Sequence, residues 1–136
     1  MITRILVLVV ASALSASVAA AQTQVKSGPI KPTSAADGKL MFDSYCAVCH
    51  GKDAKGDGPA AAALKKVPAD LTLISARNNG TFPDVRVRRF IEGLDEVPAH
   101  GTRAMPMWGE PFRSLDTNTA QIRIAGLTAY IKSLQK

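Results

Sequence analysis

The sequence Cys46-Ala47-Val48-Cys49-His50 holds the only two cysteines of this 136-residue chain, next to one of its two histidines. On a helix, two thiols three residues apart lie on the same side of one turn, as does an imidazole four residues after the first thiol. A surface disulfide needs only the two cysteines. A redox-active dithiol would need a βαβ context, which the sequence lacks. A zinc site would need His100 as its fourth ligand.

The spacing C-x-x-C-H is also the signature of c-type haem attachment. Each thiol can add to one of the two vinyl groups on a haem edge, and His50 can then bind the iron from the same side. Both cysteines are used in this way, and none is left for a structural disulfide. We therefore predict one covalently attached haem c, held by Cys46 and Cys49, with His50 as an axial iron ligand.

The first residues predict export. Arg4 precedes an aliphatic run at residues 5–10, and three alanines end just before Gln22. This order is typical of a signal peptide over residues 1–21, which predicts a periplasmic protein. The alternative is an uncleaved N-terminal anchor in the inner membrane, because the uncharged stretch over residues 5–25 is long enough to span a bilayer.

Hydrophobic periodicity predicts an all-α domain over residues 34–136, preceded by a flexible lead-in at residues 22–33. The first helix is expected to begin near Ser34 and to run into Cys46. Two helical turns are expected over residues 60–66, where helix-forming residues precede a proline.

A further helix is expected to begin near Pro83 and to end at Gly93, followed by a loop over residues 95–110. The clearest helix is the last one, for which Asn118 and Gln121 resemble a capping pair. No segment shows strand-like alternation. The apolar seam of the last helix consists of Ile124, Leu127, Ile131 and Leu134.

Residues 35–136 resemble a small monohaem class I cytochrome c. Gly38 and Phe42 precede Cys46 by eight and four residues, as in that family, and Tyr130 matches the aromatic of the family's last-helix pattern. The resemblance implies a small cytochrome c fold, with three to five helices wrapped around one covalently attached haem. It also implies that the N- and C-terminal helices cross at Gly38, where the lack of a side chain permits a close approach.

The segment Met105-Pro106-Met107-Trp108 resembles the family's Met-Pro-x-aromatic loop. The resemblance implies Met105 as the second axial ligand, with Trp108 at a haem edge or a propionate. A thioether favours ferrous iron, so His/Met ligation raises the reduction potential. Met107, His100 and a vacant sixth site remain alternatives.

Further residues are expected around the haem. In the family, a Gly-Pro pair supplies a carbonyl to the axial histidine; Gly58-Pro59 matches it here, with Pro68 as a second candidate. Side chains suited to bind the propionates are Arg77, Asn78, Asn79 and Arg103. Apolar residues expected to line the pocket are Leu64, Leu71, Ile74, Phe82, Phe90, Ile91 and Leu94.

Composition limits the partners. With 46% hydrophobic and 5% aromatic residues the chain is neither a disordered tail nor a polytopic membrane protein. Its formal charge of +6 comes with no nucleic-acid-binding motif, so the expected partners are redox proteins with acidic docking surfaces. The lysines expected to steer such partners are Lys39, Lys52, Lys55, Lys65 and Lys66.

These features together predict an exported electron carrier, not an enzyme, that shuttles single electrons through a His/Met-ligated haem c. A first alternative is the cytochrome subunit of a larger periplasmic or membrane-associated oxidoreductase. A second is an open-site haem enzyme or sensor, which the vacant sixth site would permit.

Overall fold

The helix that carries the cysteines is built from three consecutive pieces: α1 (Gly38–Met41), a π-helical segment (Phe42–Cys46) and α2 (Ala47–His50). Three 3-10 turns follow, over Ala61–Ala63, Leu71–Leu73 and Ala76–Asn78. The remaining helices are α3 (Asp84–Glu92), α4 (Gly109–Leu115) and α5 (Ala120–Ser133).

This architecture comes from a computed structural model, which describes residues 30–95 and 105–136. Across those two ranges the chain has five α-helices and no strand, which confirms the predicted all-α fold. None of the helices described there has the length and apolar character needed to cross a membrane. The predicted signal peptide, most of the lead-in, His100 and Arg103 lie outside the described residues.

Two helix predictions were wrong at their ends. The first helix begins at Gly38 and not near Ser34, because the Asp37 carboxylate caps it by accepting the Leu40 N–H at 2.8 Å. Of residues 60–66, only Ala61–Ala63 is helical, as a single 3-10 turn, because so short a helix is not stable without packing against the core. Helix α4 was missed altogether, and it begins inside the expected loop over residues 95–110.

Helix α5 confirms the predicted seam but not the predicted cap. Thr119 precedes the helix, and no side chain caps it. Gln121 instead donates its Nε2 hydrogen to Glu92 Oε1 at 2.9 Å, which links α5 to α3. The seam faces the core: Ile124, Leu127 and Ile131 are buried and Leu134 is half-buried.

The first and last helices cross where two glycines meet. The Cα atom of Gly38 lies 3.9 Å from the position that a Cβ atom would take on Gly126, and a Cβ on Gly38 would overlap the Gly126 carbonyl. Beside this crossing the rings of Phe42 and Tyr130 pack with their centroids 5.3 Å apart. The predicted crossing and its aromatic residue are therefore confirmed.

We expect Gly38→Ala to lower the free energy of unfolding by about 1–3 kcal/mol, the usual cost of overpacking. The new methyl group would meet the Gly126 backbone and lie 3.0 Å from Tyr130 Cβ, neither of which can turn aside. Gly126→Ala is the control, because its methyl group meets the flexible Met41 Cε at 3.2 Å and gains up to about 1 kcal/mol of helix propensity. Denaturant unfolding measures both variants, and equal losses would contradict this view of the crossing.

Residues 30–33, at the end of the predicted lead-in, pack against the folded domain. Tyr45 donates its hydroxyl hydrogen to the Lys31 carbonyl at 2.7 Å, and its oxygen lies 2.8 Å from Thr33 Oγ1. The buried Arg123 donates from Nη1 to the same Thr33 hydroxyl at 3.3 Å, and Ile30 packs against the core. This segment therefore covers α5 and the residue that precedes Cys46.

Candidate haem site

An apolar cleft opens between the cysteine-bearing helix, α3, α5 and the segment at Met105. It brings together a thiol of Cys46, the imidazole of His50 and the thioether of Met105, which come from distant parts of the chain. The rest of its lining is almost entirely apolar and consists of Leu71, Ile74, Val87, Phe90, Ile91, Trp108, Leu127 and Ile131.

The His50 ring is oriented by a backbone carbonyl. Its Nδ1–H donates to the Ala69 oxygen at 3.1 Å, which leaves Nε2 free to bind a metal ion. Burial lowers the pKa of His50 below its ordinary value, although the bond to Ala69 opposes the effect. The neutral imidazole, which is the metal-binding form, is thereby favoured.

The predicted role of Pro59 is wrong. The carbonyl that binds His50 belongs to Ala69, the residue after the second candidate Pro68. Gly58-Pro59 lies instead in a loop that closes the C-terminal end of α2. There, backbone N–H groups of Ala60, Gly58 and Gly56 bond the carbonyls of Val48, Cys49 and His50 at 2.9, 3.1 and 2.8 Å.

Both cysteines are free thiols on one helical turn. Cys46 lines the cleft, and burial, with a smaller contribution from Cys49, raises the pKa of its thiol to about 12. Cys49 is half-buried and lies on α2. The π-helical segment ends at Cys46, and its extra residue turns the following side chains by about 100° relative to a continuous α-helix.

Trp108 lines the cleft and belongs to an aromatic cluster. The Trp108 ring lies 5.2 Å from that of Tyr45 and 5.5 Å from that of Phe112, measured between centroids. Trp108 is also held by its backbone, since its N–H donates to the Ile91 carbonyl at 2.9 Å. The structure thus places Trp108 at the cleft, and its contact with a haem edge or a propionate stays a prediction.

The two methionines of the Met105–Trp108 segment differ in position. Met105 is half-buried and lines the cleft together with His50. Met107 is 47% exposed, does not line the cleft, and packs over Gly93. Of these two candidates for a sixth ligand, the structure brings only Met105 to the site.

Several expected residues do not line the cleft. Arg77 is exposed and donates to the Asp70 carbonyl, and Asn79 is exposed in a left-handed turn with φ +53°. Asn78 bonds the Thr81 carbonyl. Of the predicted apolar lining, Leu71, Ile74, Phe90 and Ile91 are confirmed, whereas Leu64, Phe82 and Leu94 do not line the cleft.

Three lining residues were missed: Val87, Leu127 and Ile131. Their helical spacing marked them as buried, but it did not indicate what they would contact. Leu127 and Ile131 are one turn apart, so α5 presents both to the cleft.

The residues present fit a haem c. Two thiols, an oriented imidazole and a thioether are the donor set for covalent attachment and axial ligation, and the apolar walls suit a porphyrin. A family model described as "Cytochrome C oxidase, cbb3-type, subunit III" matches residues 33–122, well over half of the chain. The chain belongs to this family. It is a c-type cytochrome, and its chemistry is haem-based electron transfer.

No curated protein and no solved structure matched this cytochrome. The matched range contains both the cysteine motif and the Met105–Trp108 segment. It ends inside α5, before Leu127 and Ile131. The family match therefore does not include Leu127 and Ile131, and their place in the cleft of the cytochrome is known from the structure alone.

Proposed function

We propose that this cytochrome carries a single haem c, joined covalently to Cys46 and Cys49 and ligated by His50 and Met105, and that it shuttles single electrons between redox partners. One observation carries the proposal. The thiol of Cys46, the imidazole of His50 and the thioether of Met105 share one apolar cleft, although Met105 lies far along the chain from the other two.

When bound there, a haem c supplies one-electron iron chemistry. The chain supplies the rest. Ala69 fixes the His50 ring, and the soft thioether of Met105 favours the ferrous state. The apolar walls exclude water from the site. Two ligands held by the protein leave no open position for a substrate, which is why we propose an electron carrier and not an enzyme.

We propose that the cytochrome is exported to the periplasm, with residues 1–21 as a cleaved signal peptide, residues 22–33 as a lead-in and residues 34–136 as the cytochrome domain. Residues 30–33 cover the domain and do not extend freely from it. The anchored alternative keeps residues 1–21 on the protein. Either form presents the same cleft.

The mass of the protein purified from a periplasmic fraction, measured with its visible spectrum, tests the proposed function. We expect the mass of a chain beginning at Gln22 plus one haem, and an oxidised spectrum with the weak far-red band of a methionine–iron bond. A mass without haem would contradict covalent attachment. A chain that retains residues 1–21 and stays with the membrane would support the anchor.

We propose acidic docking surfaces for the redox partners. All five lysines named in the sequence are exposed, and Lys39 is bonded to Asp43 at 2.6 Å. The other four lie on the loops between α2 and the Leu71–Leu73 turn, close in sequence to the attachment motif. Electron-transfer rates with an acidic partner should therefore fall as ionic strength rises.

A second candidate function is that of a subunit in a larger oxidoreductase. The observation that favours it is the name of the matched family, which describes a subunit of an oxidase. The same residues would do the same work within a permanent complex. Native cells can be fractionated and their membranes solubilised in a mild detergent to separate the two. A carrier is then recovered alone, whereas a subunit is recovered together with its larger partners.

A further inference from the structure

We propose that Gly56 is a positioning residue for the axial histidine. It holds the Pro68–Ala69 peptide in the place where the Ala69 carbonyl accepts the His50 ring hydrogen. The inference rests on the proposed function, in which His50 binds the iron.

Gly56 contacts both sides of the hydrogen bond. Its backbone N–H donates to the His50 carbonyl at 2.8 Å, so the loop that follows α2 is tied to the backbone of the ligand itself. The His50 ring donates from Nδ1 to the Ala69 oxygen at 3.1 Å, and Ala69 belongs to the Pro68–Ala69 segment that packs against Gly56. Backbone and ring of the same histidine are thus linked through this one residue.

No side chain fits at Gly56. A Cβ atom there would overlap the Pro68 carbonyl oxygen and lie 3.0 Å from Pro68 C and 3.4 Å from Ala69 C. These are backbone atoms, so the peptide itself would have to move. The φ angle of +87° is a second reason for glycine, because L residues rarely adopt it.

The same segment is fixed further along the chain. Leu71 donates its N–H to the Ala54 carbonyl at 2.7 Å, and Arg77 donates to the Asp70 carbonyl. The peptide pushed by a side chain at position 56 therefore cannot shift together with residues 70 and 71. The displacement must be taken up at Ala69, whose carbonyl turns away from the His50 ring.

A weaker bond to Ala69 changes the ligand. A hydrogen bond from the free ring nitrogen makes the imidazole a stronger donor to the metal and fixes its orientation. Without it, the ferric state is less stabilised and the reduction potential rises. The ring N–H also exchanges faster with solvent. The exchange rate of the ring N–H is expected to rise about fivefold, which corresponds to about 1 kcal/mol, the typical net contribution of one hydrogen bond.

The test compares Gly56→Ala with Gly80→Ala in the haem-loaded protein. Gly80 is a matched control, since its φ is +81° but a Cβ atom there meets nothing within 4 Å. Both variants place a side chain at a similar positive φ, and only Gly56→Ala displaces the Pro68–Ala69 peptide. We expect faster exchange of the His50 ring N–H by NMR and a higher reduction potential in Gly56→Ala, with Gly80→Ala unchanged from the wild type.

Wild-type hydrogen exchange provides a measurement that needs no variant. If Gly56 joins the loop after α2 to the Pro68–Ala69 segment, the Gly56 N–H and the His50 ring N–H become exposed in the same opening event. Their exchange rates then have the same dependence on denaturant. Different dependences overturn the inference, and this comparison decides the matter if Gly56→Ala does not fold.

Two other outcomes would overturn the inference. One is a folded Gly56→Ala variant whose His50 ring N–H exchange rate and reduction potential match those of Gly80→Ala. If the wild type still shows iron-shifted His50 ring signals, this outcome leaves the proposed function intact. The other is the absence of iron-shifted His50 signals in the wild type, which removes the proposed ligation as well.

Discussion

A variant with both Cys46→Ala and Cys49→Ala is expected to carry no covalently bound haem. The thioether links are the only covalent bonds that the motif offers, and the chain has no other cysteine. Denaturation should therefore release all of the haem from the double variant and none from the wild type. Mass spectrometry of the denatured protein measures the difference directly.

Val48→Ala is the matched control for this experiment. Val48 lies between the two cysteines on α2 but is 50% exposed, so its side chain contributes little to the cleft. It should keep the full mass of one haem. Each single cysteine variant should retain one thioether link, with a shifted absorption maximum from the intact vinyl group. Haem mass on the denatured double variant would show that attachment occurs elsewhere.

Met105→Ala is expected to remove the weak far-red band and to lower the reduction potential by on the order of a hundred millivolts, within the range of about 0.8 V that axial ligands span. The reason is the loss of a soft ligand that favours ferrous iron. The vacant position should then bind small external ligands such as imidazole. Spectroelectrochemistry measures the potential and the band together.

Met107→Ala is the control, because it removes the same thioether from the same segment at a side chain packed over Gly93 and away from the cleft. It should leave both readouts near their wild-type values. An unchanged spectrum in Met105→Ala would contradict the assignment and direct attention to His100. A change in Met107→Ala alone would assign the ligand to Met107.

Local patterns were sufficient for the attachment motif and for much of the fold. The cysteine spacing places both thiols on one side of a single helical turn, and the seam of α5 follows from the helical repeat of 3.6 residues. Gly93 ends α3 in the left-handed conformation that its position predicted. The glycine crossing and the packing of Tyr130 followed from the resemblance, since Gly38 and Gly126 are distant in sequence.

Local patterns failed where a partner comes from elsewhere. Asn118 and Gln121 have the spacing of a capping pair, but the Gln121 side chain donates to Glu92 on the neighbouring helix. The competing group is provided by the tertiary fold.

The sequence by itself determined that this chain is helical and that it carries a C-x-x-C-H motif, because both depend on the spacing of neighbouring residues. Only the tertiary structure decided which carbonyl orients His50 and which methionine shares its cleft. Ala69 lies 19 residues beyond His50, and a loop held by Gly56 brings it to the ring. Spacing along the chain cannot specify such a contact, because it depends on how the intervening loop folds back against α2.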